Sequence, residues 1–171
     1  YNQTKAATIA IADYEGPVYL RFGRPKVPNF TEENQNFEIG KAIVLEEGTD
    51  VSIFATGHLV WPSIEASRIL KDEGLSVELI NIHTIKPLDK ETILKSVEKT
   101  KCVVTAEEHQ MNGGLGDSIA QLLCREKPSP LEMVAVNDTF GESGPPMKLM
   151  EKYGLSKSDI ISSVKKVINR K

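Results

Sequence analysis

Residues 102–123 read CVVTAEEHQMNGGLGDSIAQLL. Cys102 to Ala106 has the make-up of a strand, and it runs into Glu107-Glu108-His109. A glycine-rich turn follows at Gly113 to Gly116, and then Leu115, Ile119, Leu122 and Leu123 recur at the spacing of one helix face. Strand, turn and helix in this order make up most of a βαβ unit, so the neighbouring segments should carry further strands parallel to this one.

They do. Upstream, Ala42 to Leu45 is a first apolar run ended by the Glu-Glu-Gly turn at 46–48. Val51 to Ala55 is nearly all apolar, as a strand covered on both faces should be. Residues 59–73 predict a helix with Val60, Ile64, Ser67 and Leu70 on one side and Gly74 at its end. Val77 to Ile82 is the third strand, and Pro87 and Asp89 open a helix striped by Ile93, Leu94 and Val97. Downstream of the opening stretch, Leu131 to Val136 is the fifth strand, and Pro145-Pro146 start a short helix that stops at Gly154. The last helix begins at Ser156, with Asp159 three residues on as in a capping box, and shows Ile160, Ile161, Val164, Val167 and Ile168 at helical spacing. This alternation with short links predicts a three-layer α/β/α domain on a mostly parallel, doubly wound sheet. Function in such sheets gathers at the carboxyl ends of the strands, here residues 56–59, 83–88, 107–116 and 137–145.

The start of the chain differs. Residues 4–14 predict a short helix, and 17–22, PVYLRF, a short strand with aromatic content. One helix and one strand cannot close a core, so they read as the tail of another domain. Residues 23–38 hold two prolines and little periodicity and read as a linker. Residue 1 is Tyr, which suggests a trimmed chain or a piece of something longer.

Composition narrows the function classes. The 171 residues are 40% hydrophobic and 26% charged, an ordinary globular balance that argues against collagen, coiled coil or a disordered tail. The net charge of −3 lacks the basic excess that general nucleic-acid binding needs. No apolar run reaches the roughly 20 residues that span a bilayer, so no membrane partner is expected. The two cysteines, Cys102 and Cys124, read as buried free thiols of a cytoplasmic protein.

The loops offer limited chemistry. Residues 107–116 supply carboxylates, an imidazole and a helix start, which reads either as an anion or acid/base site or as a plain strand-to-helix turn. The dinucleotide fingerprint fails there, because Ile119 stands where a third glycine belongs. No phosphate-binding Gly-Lys-Ser/Thr and no Gly-x-Ser-x-Gly occurs. His58, His83 and His109 are isolated, with no spacing for a metal, and read as structural, capping or loop residues. Arg21 and Arg24 flank Phe22-Gly23 with Pro25 behind them, which reads either as a setting for bidentate phosphate recognition by a guanidinium or as surface arginines in a linker.

Four segments, GPVYLRFGRPKVP at 16–28, ATGHLVWPSIEASRIL at 55–70, INIHTIKPLDKETIL at 80–94 and VTAEEHQMNGGLGDSIAQLL at 104–123, together resemble the transketolase family of thiamine-diphosphate enzymes. The resemblance implies a remnant of the pyrimidine-binding domain at 1–28, a linker at 29–38 and the family's C-terminal domain at 39–171. It implies transfer of a two-carbon ketol unit between sugar phosphates, with thiamine diphosphate and Mg bound in the full enzyme but not to this portion. That portion would be inactive alone and would serve structural and dimer-interface roles beside the upstream domains or an N-terminal subunit. Arg24 takes the place of the family's sugar-phosphate arginine, with Arg21 a weaker candidate; no catalytic, cofactor-binding or metal residue carries over. The related 1-deoxy-D-xylulose-5-phosphate synthases and the beta subunits of 2-oxo-acid dehydrogenases share parts of the pattern, and a non-catalytic assembly or regulatory module is the reading from outside the enzyme classes. His109 and Lys86 tilt the comparison towards transketolase.

Overall fold

The computed structural model describes residues 1–23, 25–33 and 35–171. Five strands form one sheet: β1 (Ile43–Glu46), β2 (Val51–Ala55), β3 (Val77–Asn81), β4 (Val103–Gln110) and β5 (Leu131–Val136). Their order is β1-β3-β2-β4-β5, with β1 antiparallel to β3 and all other pairs parallel. The expected mostly parallel, doubly wound sheet is therefore present, with its antiparallel strand at an edge.

Among the described residues six α-helices accompany it: α1 (Asn2–Ala12), α2 (Val60–Asp72), α3 (Lys90–Thr100), α4 (Leu115–Glu126), α5 (Pro146–Lys152) and α6 (Lys157–Ile168). The pleat sorts the core into two layers. Val51, Ile53, Ala55, Val104 and Ala106 point to one side and pack with Ile64 and Leu70 of α2 and Ile160, Val164 and Val167 of α6. Phe54, Ile80 and Val103 point to the other and pack with Ile93 and Val97 of α3 and Leu115, Ile119 and Leu123 of α4. Both faces of β2 are buried, as its continuous apolar run requires.

One polar group sits inside the second layer without disrupting it. The Ser52 hydroxyl bonds those of Ser96 and Thr100, and Ser96 donates to the Glu78 carboxylate at 2.6 Å. Lys99 closes the cluster on Glu78 at 2.6 Å, so the buried charge is both paired and hydrogen-bonded.

The structure departs from the sequence expectations in several places. The segment 17–22 is not a strand; among the described residues its alternating side chains have no neighbouring strand, and Val18, Tyr19 and Phe22 are exposed. The first helix spans Asn2–Ala12 rather than 4–14, and its buried residue is Ala7. Residues 107–110 belong to β4 rather than to a loop. Cys102 is a buried free thiol whose pKa burial raises, but Cys124, free as well, is exposed on α4.

Candidate functional site

The connections after β2 and β4 diverge: β2 leads through α2 to β3 on one side, and β4 leads through α4 to β5 on the other. The crevice between the carboxyl ends of β2 and β4 is thus the topological switch point, where a doubly wound sheet ordinarily binds its ligand. In this chain Glu107, Glu108 and His58 stand at this edge and bond to groups of the chain itself.

Glu107 and Glu108 divide the work by parity. Val103, Thr105 and Glu107 share the face towards α4, whereas Val104, Ala106 and Glu108 share the face towards α2. Glu107 is 1% exposed, and its two carboxylate oxygens accept the backbone N–H groups of Leu115 and Gly116 at 2.7 Å each. These are the first two residues of α4, so the carboxylate meets both the unsatisfied donors and the positive end of the helix. The turn is shaped to let it in. Gly113 has φ +79°, which only glycine adopts readily, and a Cβ on Gly114 would overlap the Glu107 carboxylate. The anion site conceivable at 107–116 is real, but its anion is Glu107.

Glu108 turns the other way and pairs with His58 Nδ1 at 2.6 Å across the crevice. His58 sits in the 3₁₀ turn Gly57–Leu59 that leads into α2. A Cβ on Gly23 would overlap the same imidazole, so the backbone of the N-terminal arm lies directly on the ring. Arg21 is exposed on this arm, and Arg24 lies outside the described residues. His109 is exposed, with Nδ1 3.1 Å from its neighbour Gln110's carbonyl oxygen, and among the described residues it is bonded to no other candidate residue.

A second group lies after β3. Asp89 caps α3: its carboxylate accepts the Thr92 N–H at 3.1 Å and the Thr92 hydroxyl at 2.8 Å, and it takes the Ala42 N–H of the segment entering β1 at 2.8 Å. Burial alone would push its pKa up; the hydrogen bonds from Ala42 and Thr92, helped by Lys41, outweigh that and hold it below the ordinary value. His83 stacks on Phe37 with ring centroids 4.3 Å apart, and its Nδ1 is 2.9 Å from the Thr84 hydroxyl. Burial lowers its pKa despite the nearby Asp89 charge. Sequence reasoning marked His58 and His83 only as capping or loop residues and missed both pairings; the parity of β4, which aims Glu108 at the start of α2, was the available signal for one of them.

Two helix starts that could receive an anion hold the chain's own carboxylates. The α4 N-terminus is taken by Glu107, the α3 N-terminus by Asp89, and among the described residues no three His, Cys, Asp or Glu side chains are arranged to hold a metal ion.

The fold and this edge define an α/β domain that places its own carboxylates at its switch point. Residues 40–160 match the family model described as transketolase, C-terminal domain, and the chain belongs to that family. Among relatives, it is 42% identical over 169 residues to a 6-deoxy-6-sulfo-D-fructose transketolase subunit of Clostridium sp. (strain MSTE9), covering 99% of this chain and 52% of that protein. It is 39% identical over 167 residues to a putative transketolase C-terminal section of Methanocaldococcus jannaschii, covering 96% of this chain and 52% of that one. A solved structure described as a split gene transketolase, inactive beta4 tetramer, superposes with a TM-score of 0.95 at 42% identity, over 98% of this chain and 55% of that chain. The chain therefore spans about half the length of the transketolase subunits it matches.

Proposed function

We propose that this chain is the C-terminal portion of a transketolase-type enzyme that moves a two-carbon ketol unit between sugar phosphates, and that by itself it supplies buttressing and an assembly surface. The observation that carries this reading is the contrast between the two parts of the chain. The domain from β1 onward closes its own carboxyl edge, while the segment before it presents Tyr14, Val18, Tyr19 and Phe22 to solvent at 49%, 44%, 87% and 67% exposure. Apolar side chains clustered on an arm without a core of its own fit a surface completed by another part of the protein. On this reading residues 1–28 continue the pyrimidine-binding domain and 29–38 link it to the C-terminal domain. The partners are the upstream domains or an N-terminal subunit, in a homodimer or a two-subunit assembly. Thiamine diphosphate and Mg belong to that upstream part, where the cofactor supplies the electron sink for the transfer. Two free thiols are in keeping with a cytoplasmic setting.

Arg24 is the proposed contact for the terminal phosphate of the sugar, with Arg21 beside it in sequence. The test is reconstitution. Titration of thiamine diphosphate and Mg into the chain alone should release no binding heat, and mixing with the upstream polypeptide should give ketol transfer. Arg24→Ala in the mixture should raise KM for phosphorylated sugars by the loss of one charge-assisted interaction, about 1.5–3 kcal/mol. Transfer by the chain alone would overturn the assignment, and an unchanged KM would overturn the phosphate role. A second reading keeps the enzyme class and changes the reaction: the chain is also 32% identical over 167 residues to a 1-deoxy-D-xylulose-5-phosphate synthase of Geobacter sulfurreducens, covering 26% of it. Supplying pyruvate or a ketose phosphate as donor to the mixture separates the two.

A further inference from the structure

The switch-point crevice, the customary ligand position of this architecture, holds the His58–Glu108 pair, and the backbone of Gly23 lies on the His58 ring. We propose that His58, anchored by Glu108, is the seat on which the N-terminal arm docks, and that it is a positioning residue for the arginine that follows Gly23 in the chain.

Three observations converge on this. His58 is held from below: its side chain is only 18% exposed, and its Nδ1 is paired with Glu108 of β4 at 2.6 Å. The contact needs a bare backbone. What forbids a side chain at Gly23 is the imidazole, which a Cβ would overlap. Finally, the rest of the arm is loosely attached on the domain side. Val18, Tyr19, Phe22 and Val27 are exposed, and Leu20 is half-buried. Residue 24 is bonded directly to Gly23, so the contact on His58 lies one peptide bond from the arginine in the chain. The domain would thus use its ligand position to present a part of its own chain.

The role of residue 24 as a phosphate contact rests on the function proposed above; the docking of Gly23 on His58 does not, and the experiment separates them. Gly23→Ala, His58→Ala and the double variant are compared in two assays. In the chain alone, trypsin cleavage after Arg21 and after Lys26 reads release of the arm. In the reconstituted enzyme, KM and kcat for a phosphorylated donor read the position of the arginine. Gly23→Ala and His58→Ala should each speed cleavage and raise KM with kcat nearly unchanged. The double variant should match His58→Ala, because a methyl at 23 no longer meets a ring; for residues in direct contact the coupling should amount to about fivefold in cleavage rate. Glu108→Gln, which keeps shape and loses the charge, should shift both readouts in the same direction and by less, and it stands in for His58→Ala if that variant does not fold. Wild-type cleavage in Gly23→Ala, or additive effects in the double variant, would overturn the seat. If Arg24→Ala leaves KM unchanged while the cleavage coupling holds, the phosphate reading fails and the seat stands; if Arg24→Ala raises KM and Gly23→Ala does not, the seat does not position the arginine.

Discussion

Replacing Glu107 gives the most direct test of the closed switch point. In the wild-type chain one carboxylate, 1% exposed, satisfies the N–H groups of Leu115 and Gly116 at 2.7 Å. Glu107→Ala removes two charge-assisted hydrogen bonds and leaves two buried donors at the positive end of α4. A single hydrogen bond to a charged group contributes about 1.5–3 kcal/mol, and an orphaned buried donor costs about 1–3 kcal/mol. These figures describe overlapping parts of the same loss, and the vacated space lets a water reach one donor, so the expected destabilisation is about 3 kcal/mol rather than their sum. Glu107→Gln keeps one acceptor but turns an amide donor towards a backbone donor, and should lose about 2 kcal/mol. Urea unfolding at pH 7 measures both; with a slope of about 2 kcal/mol/M, Glu107→Ala should move the midpoint down by roughly 1.5 M. Gly114→Ala drives a methyl into the same carboxylate, so its cost should shrink in the Glu107→Ala background, as coupled neighbours behave. A midpoint within the error of wild type for Glu107→Ala, or strict additivity with Gly114→Ala, would refute the account of α4 as self-capped.

Three further outcomes follow from the ionisable groups. Asp89 has a folded pKa held below its unfolded value of about 3.9, so its contribution is complete above that pH and is lost as pH falls through the folded value; Asp89→Asn should lower stability at pH 7 and flatten the acid limb of a urea-midpoint profile between about pH 5 and 2. His83 has a pKa lowered by burial, so its neutral form favours the folded state above about pH 6.5 and that support declines as pH falls from there to the folded value; in an NMR titration its ring should protonate below that reference value, and coincidence with it would contradict the burial argument. Lys99→Met strands the buried Glu78 carboxylate, with Ser96 as its remaining partner, and should cost about 2 kcal/mol in the same urea assay, less than for a fully enclosed pair because Lys99 itself is partly exposed.

How far the sequence carried is best seen in β4. The apolar run, the glycine turn and the stripe from Leu115 to Leu123 were enough to place strand, turn and helix, because hydrophobic period and glycine punctuation are local signals. The Asp89 and Ser156 helix starts were legible for the same reason: each capping carboxylate bonds within its own first turn, Asp89 with the Thr92 N–H and Asp159 with the Ser156 N–H. Segment 17–22 failed as a strand because a strand exists only where a neighbour completes its ladder, and composition carries no information about neighbours. The roles of Glu107 and His58 were hidden for a related reason. Each is defined by a group brought in from elsewhere in the fold, Leu115 and Gly116 for one, Glu108 and Gly23 for the other, and only the alternation along β4 hinted at which way the two glutamates point.

That alternation also explains how one dipeptide can shut a ligand crevice. Adjacent residues of a strand face opposite layers, and at a switch point the helices following the two central strands lie in opposite layers as well. Glu107 therefore points towards the helix that follows its own strand, and Glu108 towards the start of the helix that follows the neighbouring strand. One glutamate supplies the anion that an open helix N-terminus would otherwise take from a ligand, and the other fixes an imidazole over the gap. A doubly wound sheet treated in this way keeps its stability and gives up its customary binding position, and the surface left at that position is a flat imidazole suited to a glycine backbone. A switch-point site could be reopened only by removing both side chains: Glu107→Ala alone would leave His58 and Glu108 spanning the crevice, and Glu108→Ala alone would leave α4 capped.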